Sequence, residues 1–205
     1  MAGISPAAAS AGPPLHVAEL VSAAHPGRVS NTMALCCDPH ATLVLVAGTD
    51  AEITAWDPRC ARAAWVTGAF VGNHRAVDGG VVGLSVSPSK GVAFAACADG
   101  GVSLLDLRRC GEVREMIFFD TALSCLAGNE NDDRVFVGGA DGTVAAWRWS
   151  ERLWGENEPQ IKVVVRSVSP SPVSCLAVAA EGDALAVGWD DGAVEVFQER
   201  REARV

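Results

Sequence analysis

The histidines are the residues best suited to catalysis or metal binding, yet their positions form no pattern that supports either. The four histidines, His16, His25, His40 and His74, fall in different loops or termini and lack a cysteine or acidic partner at a recurring spacing. Covalent catalysis requires a nucleophile and a base within mutual reach. The sequence also contains no phosphate-binding loop and no H-E-x-x-H metal motif. It therefore predicts a protein that is not an enzyme and that uses no cofactor and no metal.

The cysteines do not indicate a chemical site either. There are seven of them, an odd number, and none forms a C-x-x-C pair, which argues against both a disulfide framework and a zinc site. Several lie within apolar runs, where a thiol behaves as a small buried hydrophobe. This usage favours a reducing compartment, so we expect a cytoplasmic or nuclear location. A mitochondrial presequence in the first 28 residues is the alternative.

The charge balance limits the class of partner. Lys and Arg number 16 against 25 Asp and Glu, a formal net charge of -9, while 49% of the residues are hydrophobic. An acidic surface repels nucleic-acid phosphates and anionic lipids. Apolar runs such as that from Val92 to Ala98 are far below the roughly 18 residues of a membrane helix. The sequence predicts other proteins as partners, with no direct nucleic acid, no membrane and no small-molecule substrate.

The elements that must position the remaining polar residues are copies of one hairpin. Four segments align without gaps: VLVAGTDAEITAWD, AFAACADGGVSLLD, VFVGGADGTVAAWR and LAVGWDDGAVEVFQ. Each has an apolar run, then an aspartate, then a β-branched residue three positions later. The aspartates are Asp50, Asp99, Asp141 and Asp191, spaced 49, 42 and 50 residues apart. Period-two runs around such a turn predict β-hairpins, in which each aspartate bonds nearby backbone amides.

Further strand-like runs flank these hairpins. A run with a shared leucine precedes each hairpin (MALCC, VVGLSV, ALSCLA and PVSCLAV), and another run follows the first three (AAWVTG, EVREMIFF and IKVVVRSV). The predicted unit is therefore a sheet of four strands, which we label a, b, c and d in chain order. A sheet this small cannot bury both of its faces alone, so neighbouring units must stack on it.

These repeats resemble the WD-repeat family, whose members form β-propellers. The sequence ITAWD matches the dipeptide that closes the family's repeat, and GGADGTVAAW and GWDDGAVEVF match its b-turn-c hairpin. The resemblance covers about residues 30 to 200. The family's Gly-His dipeptide before strand a is missing, so its buried network of His, Ser or Thr, Asp and Trp is incomplete in most units. The resemblance implies an all-β fold, a WD-repeat β-propeller of about four four-stranded blades.

The domain organisation follows from the repeats. We expect a flexible segment over residues 1–14, a propeller over residues 15–199 and a charged tail over residues 200–205. The propeller units are expected at about 30–68, 81–119, 122–168 and 172–198. Family propellers usually have seven blades, so three arrangements stay open: a closed ring of four, an open array completed by another chain, or a shortened product of a longer gene. Residues 15–22 are predicted to pair with the last strand c, around residues 193–197, as a closing strand.

One motif within the repeats suggests a specific partner. Trp56-Asp57-Pro58-Arg59 has the form W-D-x-R, and Leu105-Asp106-Leu107-Arg108 echoes it in the next unit. Adjacent W-D-x-R motifs resemble those of WD-repeat receptors that dock onto the adaptor of cullin-4 ubiquitin ligases. The resemblance implies that Arg59 and Arg108 make the contact, with Asp57 and Asp106 beside them. The alternative is that Asp-x-Arg forms a surface pair closing the c-to-d turn.

Two tryptophans are further candidates for partner contact. Trp189 replaces the small residues Gly48, Cys97 and Gly139 of the aligned units, and Trp is enriched among interface hot spots. Its alternative role is to fill the gap between two blades. Trp154 lies in a long loop, residues 149–160, with charged residues around it.

Together these features predict a non-catalytic WD-repeat scaffold for protein-protein interactions in a multi-protein complex. Stacked sheets would hold loops at fixed spacing, and a few aromatic and charged anchors would supply most of the affinity. One alternative is a substrate receptor of a cullin-4 ubiquitin ligase. The other is a structural subunit completed by a partner chain.

Overall fold

The described part of the protein is built almost entirely from antiparallel β-strands. A computed structural model describes residues 32–37, 43–49, 51–57, 62–68, 80–87, 89–128, 133–149, 160–166, 171–179 and 182–198. The strands are β1 (Thr32–Cys37), β2 (Val44–Gly48), β3 (Glu52–Asp57), β4 (Arg62–Gly68), β5 (Val81–Ser87), β6 (Val92–Cys97), β7 (Gly101–Asp106), β8 (Glu112–Phe118), β9 (Leu123–Gly128), β10 (Arg134–Gly139), β11 (Thr143–Arg148), β12 (Gln160–Arg166), β13 (Val173–Val178), β14 (Ala184–Trp189) and β15 (Val194–Gln198). A short 3₁₀ helix, Leu107–Arg109, follows β7. No helix of the described ranges is long and apolar enough to cross a membrane.

The strands form four sheets in which sequence neighbours pair. The first three sheets have the orders β1-β2-β3-β4, β5-β6-β7-β8 and β9-β10-β11-β12, and the fourth contains β13-β14-β15. The prediction of four antiparallel units with a b-turn-c hairpin is confirmed. The predicted closing strand at residues 15–22 lies outside the described residues, as do the predicted terminal segments 1–14 and 200–205.

Each of the two middle sheets is stabilised because its two faces pack against different neighbours. Alternate residues of a strand point to opposite faces, and β6 divides its apolar residues accordingly. Ala93, Ala95 and Cys97 belong to a buried cluster shared with the first sheet. Phe94 and Ala96 belong to another cluster shared with the third sheet. This two-sided burial explains why β6 is apolar at every position rather than alternating between polar and apolar residues.

The packing between the second and third sheets is aromatic. The Phe94 ring lies 5.9 Å from the Trp147 ring, centroid to centroid, and 5.2 Å from that of Trp149. Both contacts are edge-to-face, the arrangement that the quadrupoles of aromatic rings favour. Trp147 is only 1% exposed. A third cluster, which includes Phe136 and Val187, fills the space between the third and fourth sheets.

The four sheets form an open array. The first strands of successive sheets contact one another in the order β1, β5, β9 and β13. Among the described strands, no comparable packing joins β1 to β13, so the last sheet does not close onto the first. The described residues therefore do not form a closed ring of four, and they agree equally with an open array completed by another chain and with a shortened propeller.

Trp147 should be essential for stability. The Trp147→Ala substitution removes a buried indole between two sheets and should lower the free energy of unfolding by about 4 kcal/mol, because a large cavity remains. The control is Phe118→Ala, because Phe118 is 51% exposed and its truncation should change stability by about 0.5 kcal/mol or less. Urea denaturation followed by tryptophan fluorescence and circular dichroism measures both. Equal losses in the two variants would contradict the packing described.

Candidate protein-interaction surfaces

The repeated aspartates cap the turns between the second and third strands of their sheets. The Oδ1 atom of Asp99 accepts a hydrogen bond of 3.0 Å from the Gly101 amide. Asp141 and Asp191 accept equivalent bonds from the amides two residues later. Such a bond holds a tight turn in one conformation, and we call this edge of the array the turn end. Asp50 lies outside the described residues.

Asp141 is held most firmly of these aspartates. The Thr143 hydroxyl donates a hydrogen bond of 2.9 Å to its Oδ2 atom, in addition to the amide bond on Oδ1. Partial burial by itself would raise the pKa of Asp141. The hydrogen bonds from Thr143 and the Thr121 hydroxyl outweigh that effect, so the pKa lies below its ordinary value. Asp141 therefore stays ionised and presents a fixed negative charge at the turn end.

Asp106 organises the opposite end of the second sheet. Its Oδ1 atom accepts a hydrogen bond of 2.9 Å from the Arg108 amide and so caps the 3₁₀ helix. Its Oδ2 atom accepts bonds of 2.8 and 3.1 Å from the Arg114 guanidinium. Burial would raise the pKa of Asp106, but these hydrogen bonds and the charge of Arg114 hold it below its ordinary value. Both oxygens of this candidate partner-binding residue are thus engaged within the chain.

The side chain of Arg108 does not pair with Asp106. It is exposed, and its Nη2 atom donates a hydrogen bond of 3.3 Å to the Lys90 carbonyl. Gly91 makes room for it, because a Cβ there would lie 2.6 Å from the Arg108 Nε atom. The sequence suggests a surface ion pair between Asp106 and Arg108 as the alternative. In the structure, Asp106 forms its ion pair with Arg114 instead. Arg108 remains accessible on the surface.

The other half of the W-D-x-R pair is only partly described. Asp57 is half-buried at the end of β3 and has an interaction partner. Arg59 lies outside the described residues, so the structure gives no distance between Arg59 and Arg108. Trp154, the candidate in the loop of residues 149–160, also lies outside them.

Trp189 lies inside the array. It is 4% exposed and packs with Phe136, Val144 and Val187 between the third and fourth sheets. Its Nε1 atom is buried and has no hydrogen-bond partner among the described residues, while its ring packs in the apolar cluster between the two sheets. This position favours the role of a residue that fills the gap between two blades.

Four cysteines, Cys97, Cys110, Cys125 and Cys175, are free thiols. Burial, with a smaller effect from the nearby Asp99, raises the pKa of Cys97 to about 12. A thiol in this state is not a nucleophile at neutral pH. The described residues contain no cluster of three or more His, Cys, Asp or Glu side chains that could hold a metal ion.

A pocket at the turn end was not predicted from the sequence. It has a volume of about 250 Å³ and lies where the loop after β8 meets the β10–β11 turn. Its walls include Phe118, Leu123 and Val137, and its polar lining includes Asp120 and Asp141. The repeat pattern does not reveal this pocket because its walls come from two units, and Asp141 is the one turn aspartate among its described lining residues.

Comparison with solved structures identifies the architecture. A chain of the crystal structure of a mitotic checkpoint complex superposes on 85% of this chain with a TM-score of 0.67 and 12% identity. The β-propeller domain of Cps50 (Swd1) from Myceliophteria thermophila superposes on 84% with a TM-score of 0.65 and 15% identity. This chain has a β-propeller fold. It covers 51% and 53% of those two chains, so its array corresponds to about half of each.

Sequence comparison finds similar segments in two larger proteins. The propeller is 29% identical over 114 residues to the protein groucho of Drosophila melanogaster, which is 56% of this chain and 14% of that protein. It is 29% identical over 118 residues to transducin-like enhancer protein 2 of Mus musculus, 58% of this chain and 14% of that protein. The matches therefore span a small part of each relative. No protein-family model matches the sequence.

Asp106 and Arg114 should stabilise the propeller in a pH-dependent way. Arg114→Met leaves the nearly buried carboxylate without its guanidinium, so the free energy of unfolding should fall by about 2 kcal/mol at pH 7. In the wild type, the stability from Asp106 is fully present above the unfolded carboxyl pKa, near 4, and is lost as the pH falls through the lower folded value. The variant should show a smaller loss of stability over this acidic range.

Arg109→Met is the matched control for this prediction. The Arg109–Glu112 pair is 3.5 Å long with side chains 61% and 52% exposed, and such surface pairs contribute little. Urea denaturation at a series of pH values measures both variants. An equal loss of unfolding free energy in the two variants would show that the Arg114–Asp106 contact contributes no more than a surface ion pair.

Proposed function

We propose that this propeller is a non-catalytic scaffold that mediates protein-protein interactions within a multi-protein complex. The observation that supports this function best is the pocket at the turn end, because rigid stacked sheets hold its two sides in place. The structural neighbour from a mitotic checkpoint complex is itself part of an assembly of proteins, which is consistent with protein partners. The sequence motifs of this chain are turn and strand motifs and include no pattern of a nucleophile with a base, which agrees with a binding role.

The size and lining of the pocket suit one side chain of a peptide. Its volume, about 250 Å³, is below the 300–1,000 Å³ typical of small-molecule sites. Phe118 is 51% exposed at its wall, and an exposed aromatic ring provides large contact area at low entropic cost. The pocket therefore favours a long side chain over a metabolite.

The charge of the pocket favours a basic partner segment. Asp120 is exposed on its rim, and Asp141 is held ionised beside it. A lysine or arginine can bury its aliphatic stem against apolar walls while its charged head reaches the carboxylates. The net charge of -9 adds long-range attraction for a basic segment. We propose Lys- or Arg-containing peptides as the class of ligand, in a cytoplasmic or nuclear complex.

The pocket proposal predicts a loss of partners from a defined variant. Phe118→Ala combined with Asp120→Asn should weaken binding of a lysine-containing partner peptide by about tenfold or more, because both the apolar contact and one charge are removed. Affinity purification with quantitative mass spectrometry identifies the partners, and fluorescence polarisation with synthetic peptides from them measures the affinity. Binding should also weaken as salt is raised.

The control variant for the pocket is Asp183→Asn. Asp183 is an exposed acid between β13 and β14, at the opposite end from the pocket, and its substitution changes the net charge by the same amount. Partners that are retained by both variants would rule out the pocket as the binding site. Partners that are lost from both would indicate a general effect of charge.

A second candidate function is that of a substrate receptor of a cullin-4 type ubiquitin ligase. It is favoured by Arg108, which is exposed and is held in position by Gly91 and the 3₁₀ helix that Asp106 caps. A fixed and accessible guanidinium is suited to contact an adaptor. In this proposal Arg59 and Arg108 contact the adaptor directly, while Asp106 positions Arg108.

The receptor proposal predicts that Arg59→Ala with Arg108→Ala abolishes co-purification with the cullin-4 adaptor. Thermal stability should change little, because exposed charges contribute about 1 kcal/mol or less to folding. The matched control is Arg109→Ala with Arg148→Ala, two exposed arginines, which removes the same charge but keeps both Arg59 and Arg108. A wild-type protein that never recovers the adaptor eliminates this function, and a double variant that still recovers it eliminates these residues.

A third candidate function is that of a structural subunit completed by a partner chain. It is favoured by the open array and by Val194 and Val196 of the last strand, which are 72% and 64% exposed. Large exposed apolar surfaces mark interaction sites. In this proposal a second chain supplies the missing sheet contacts.

A further inference from the structure

The outer face of the fourth sheet is exposed, although it carries apolar residues at positions that are buried in the other three sheets. Residues three positions after the turn aspartates pack onto the next sheet in the first three units, where Ile53, Val102 and Val144 are each 0% exposed. The aligned residue of the fourth unit, Val194, is 72% exposed. Val196 is 64% exposed, whereas the aligned residues of the first three units, Ala55, Leu104 and Ala146, are buried. The fourth unit therefore keeps apolar residues at the positions that contact a following sheet.

The neighbours of these valines extend the apolar face across the whole sheet. Val194 and Val196 pair with Gly188 and Ala186 of β14, and those residues pair with Cys175 and Ala177 of β13. Directly paired residues of antiparallel strands share a face. Polar side chains occur only near the ends of this described face, at Ser174 and Gln198. We call this surface the trailing face.

The first sheet has a complementary surface. Its face turned away from the second sheet includes Val44, Val46, Thr54 and Trp56, according to the pairing of β2 with β3. The residues of the third unit aligned with Thr54 and Trp56 are buried against the preceding sheet, whereas Thr54 and Trp56 are only partly buried. We call this the leading face. The only charged side chain of β2 and β3 placed on it is Glu52, at the turn end.

Among the described residues, no segment of the chain covers the trailing face, where Val194 and Val196 are 72% and 64% exposed. Packing of the first sheet on the fourth within one molecule would bring β1 against β13, and the described strands record no such packing. A closing strand at residues 15–22 would hydrogen-bond along the free edge of β15. A strand added at an edge extends a sheet within its own plane and leaves the face uncovered.

A second copy of the chain has the matching shape and chemistry. The four sheets superpose on about half of two larger propeller chains, so their curvature is that of an arc rather than of a closed ring of four. Each copy offers one trailing face and one leading face. Two arcs related by a twofold axis would bury both pairs of faces in identical contacts, which closes a ring.

We propose that two copies associate head to tail, with the trailing face of each packed against the leading face of the other, to form a ring of eight sheets. This inference specifies the partner in the third candidate function and rests on it. It is independent of the pocket and of Arg108, because neither surface takes part. The facing sheets would lie about 10 Å apart with interdigitated side chains, as in other sheet packings.

Light scattering coupled to size-exclusion chromatography tests this association. The wild-type chain should elute with twice its mass of 21.2 kDa. Val194→Lys with Val196→Lys places two charges in the interface and should weaken self-association by about 100-fold or more. Glu195→Lys is the matched control: it changes the net charge by the same +2 but lies on the opposite side of the same strand. It should remain dimeric, and circular dichroism verifies the fold of each variant.

A second variant separates loss of the interface from loss of folding. Val46→Lys blocks the leading face and should also give a monomer. A mixture of the Val46→Lys variant with the trailing-face double variant should regain dimer mass, because each contributes the intact face that the other lacks. A wild type that is monomeric at its highest soluble concentration overturns the proposal. So does a double-lysine variant that stays dimeric, or a mixture that stays monomeric. Peptide binding at the pocket that persists in these monomers would leave the scaffold function intact.

Discussion

The structure depends on the need of each small sheet to bury both of its faces. In β6, alternate residues go to two different interfaces: Ala95 packs toward the first sheet, and Phe94 packs toward the third. A single small sheet cannot cover its own two faces, so neighbouring sheets must pack on them. Stability is therefore a property of the array, with each middle sheet contributing half of two interfaces.

The stacking of the sheets fixes the positions of the loops. The pocket at the turn end exists because the loop after β8 and the β10–β11 turn belong to sheets held together by Phe94 and Trp147. At the opposite end, Asp106 joins the 3₁₀ helix to Arg114 on β8, so Arg108 projects from a bonded turn. Both surfaces are held by contacts within the chain, so binding at either one would require little ordering of the protein.

The same principle makes the two terminal sheets different from the others. A middle sheet has a neighbour on each side, whereas the first and fourth have one described neighbour each. Their remaining faces keep the apolar pattern of the interior positions, as Val196 and Trp56 show. An array of this kind has a direction, with unlike faces at its two ends.

The sequence by itself determined the repeat, the four hairpins and the turn aspartates, because period-two patterns and turn chemistry act over a few residues and leave local traces. It did not determine that Asp106 bonds Arg114 rather than Arg108, since that choice depends on the register of β7 with β8. It also did not determine the pocket, whose walls come from different units, or the burial of Trp189. Above all, the tertiary structure decided whether an apolar residue is interior. Val144 and Val194 occupy the same place in the repeat, and only the presence or absence of a following sheet makes one 0% and the other 72% exposed.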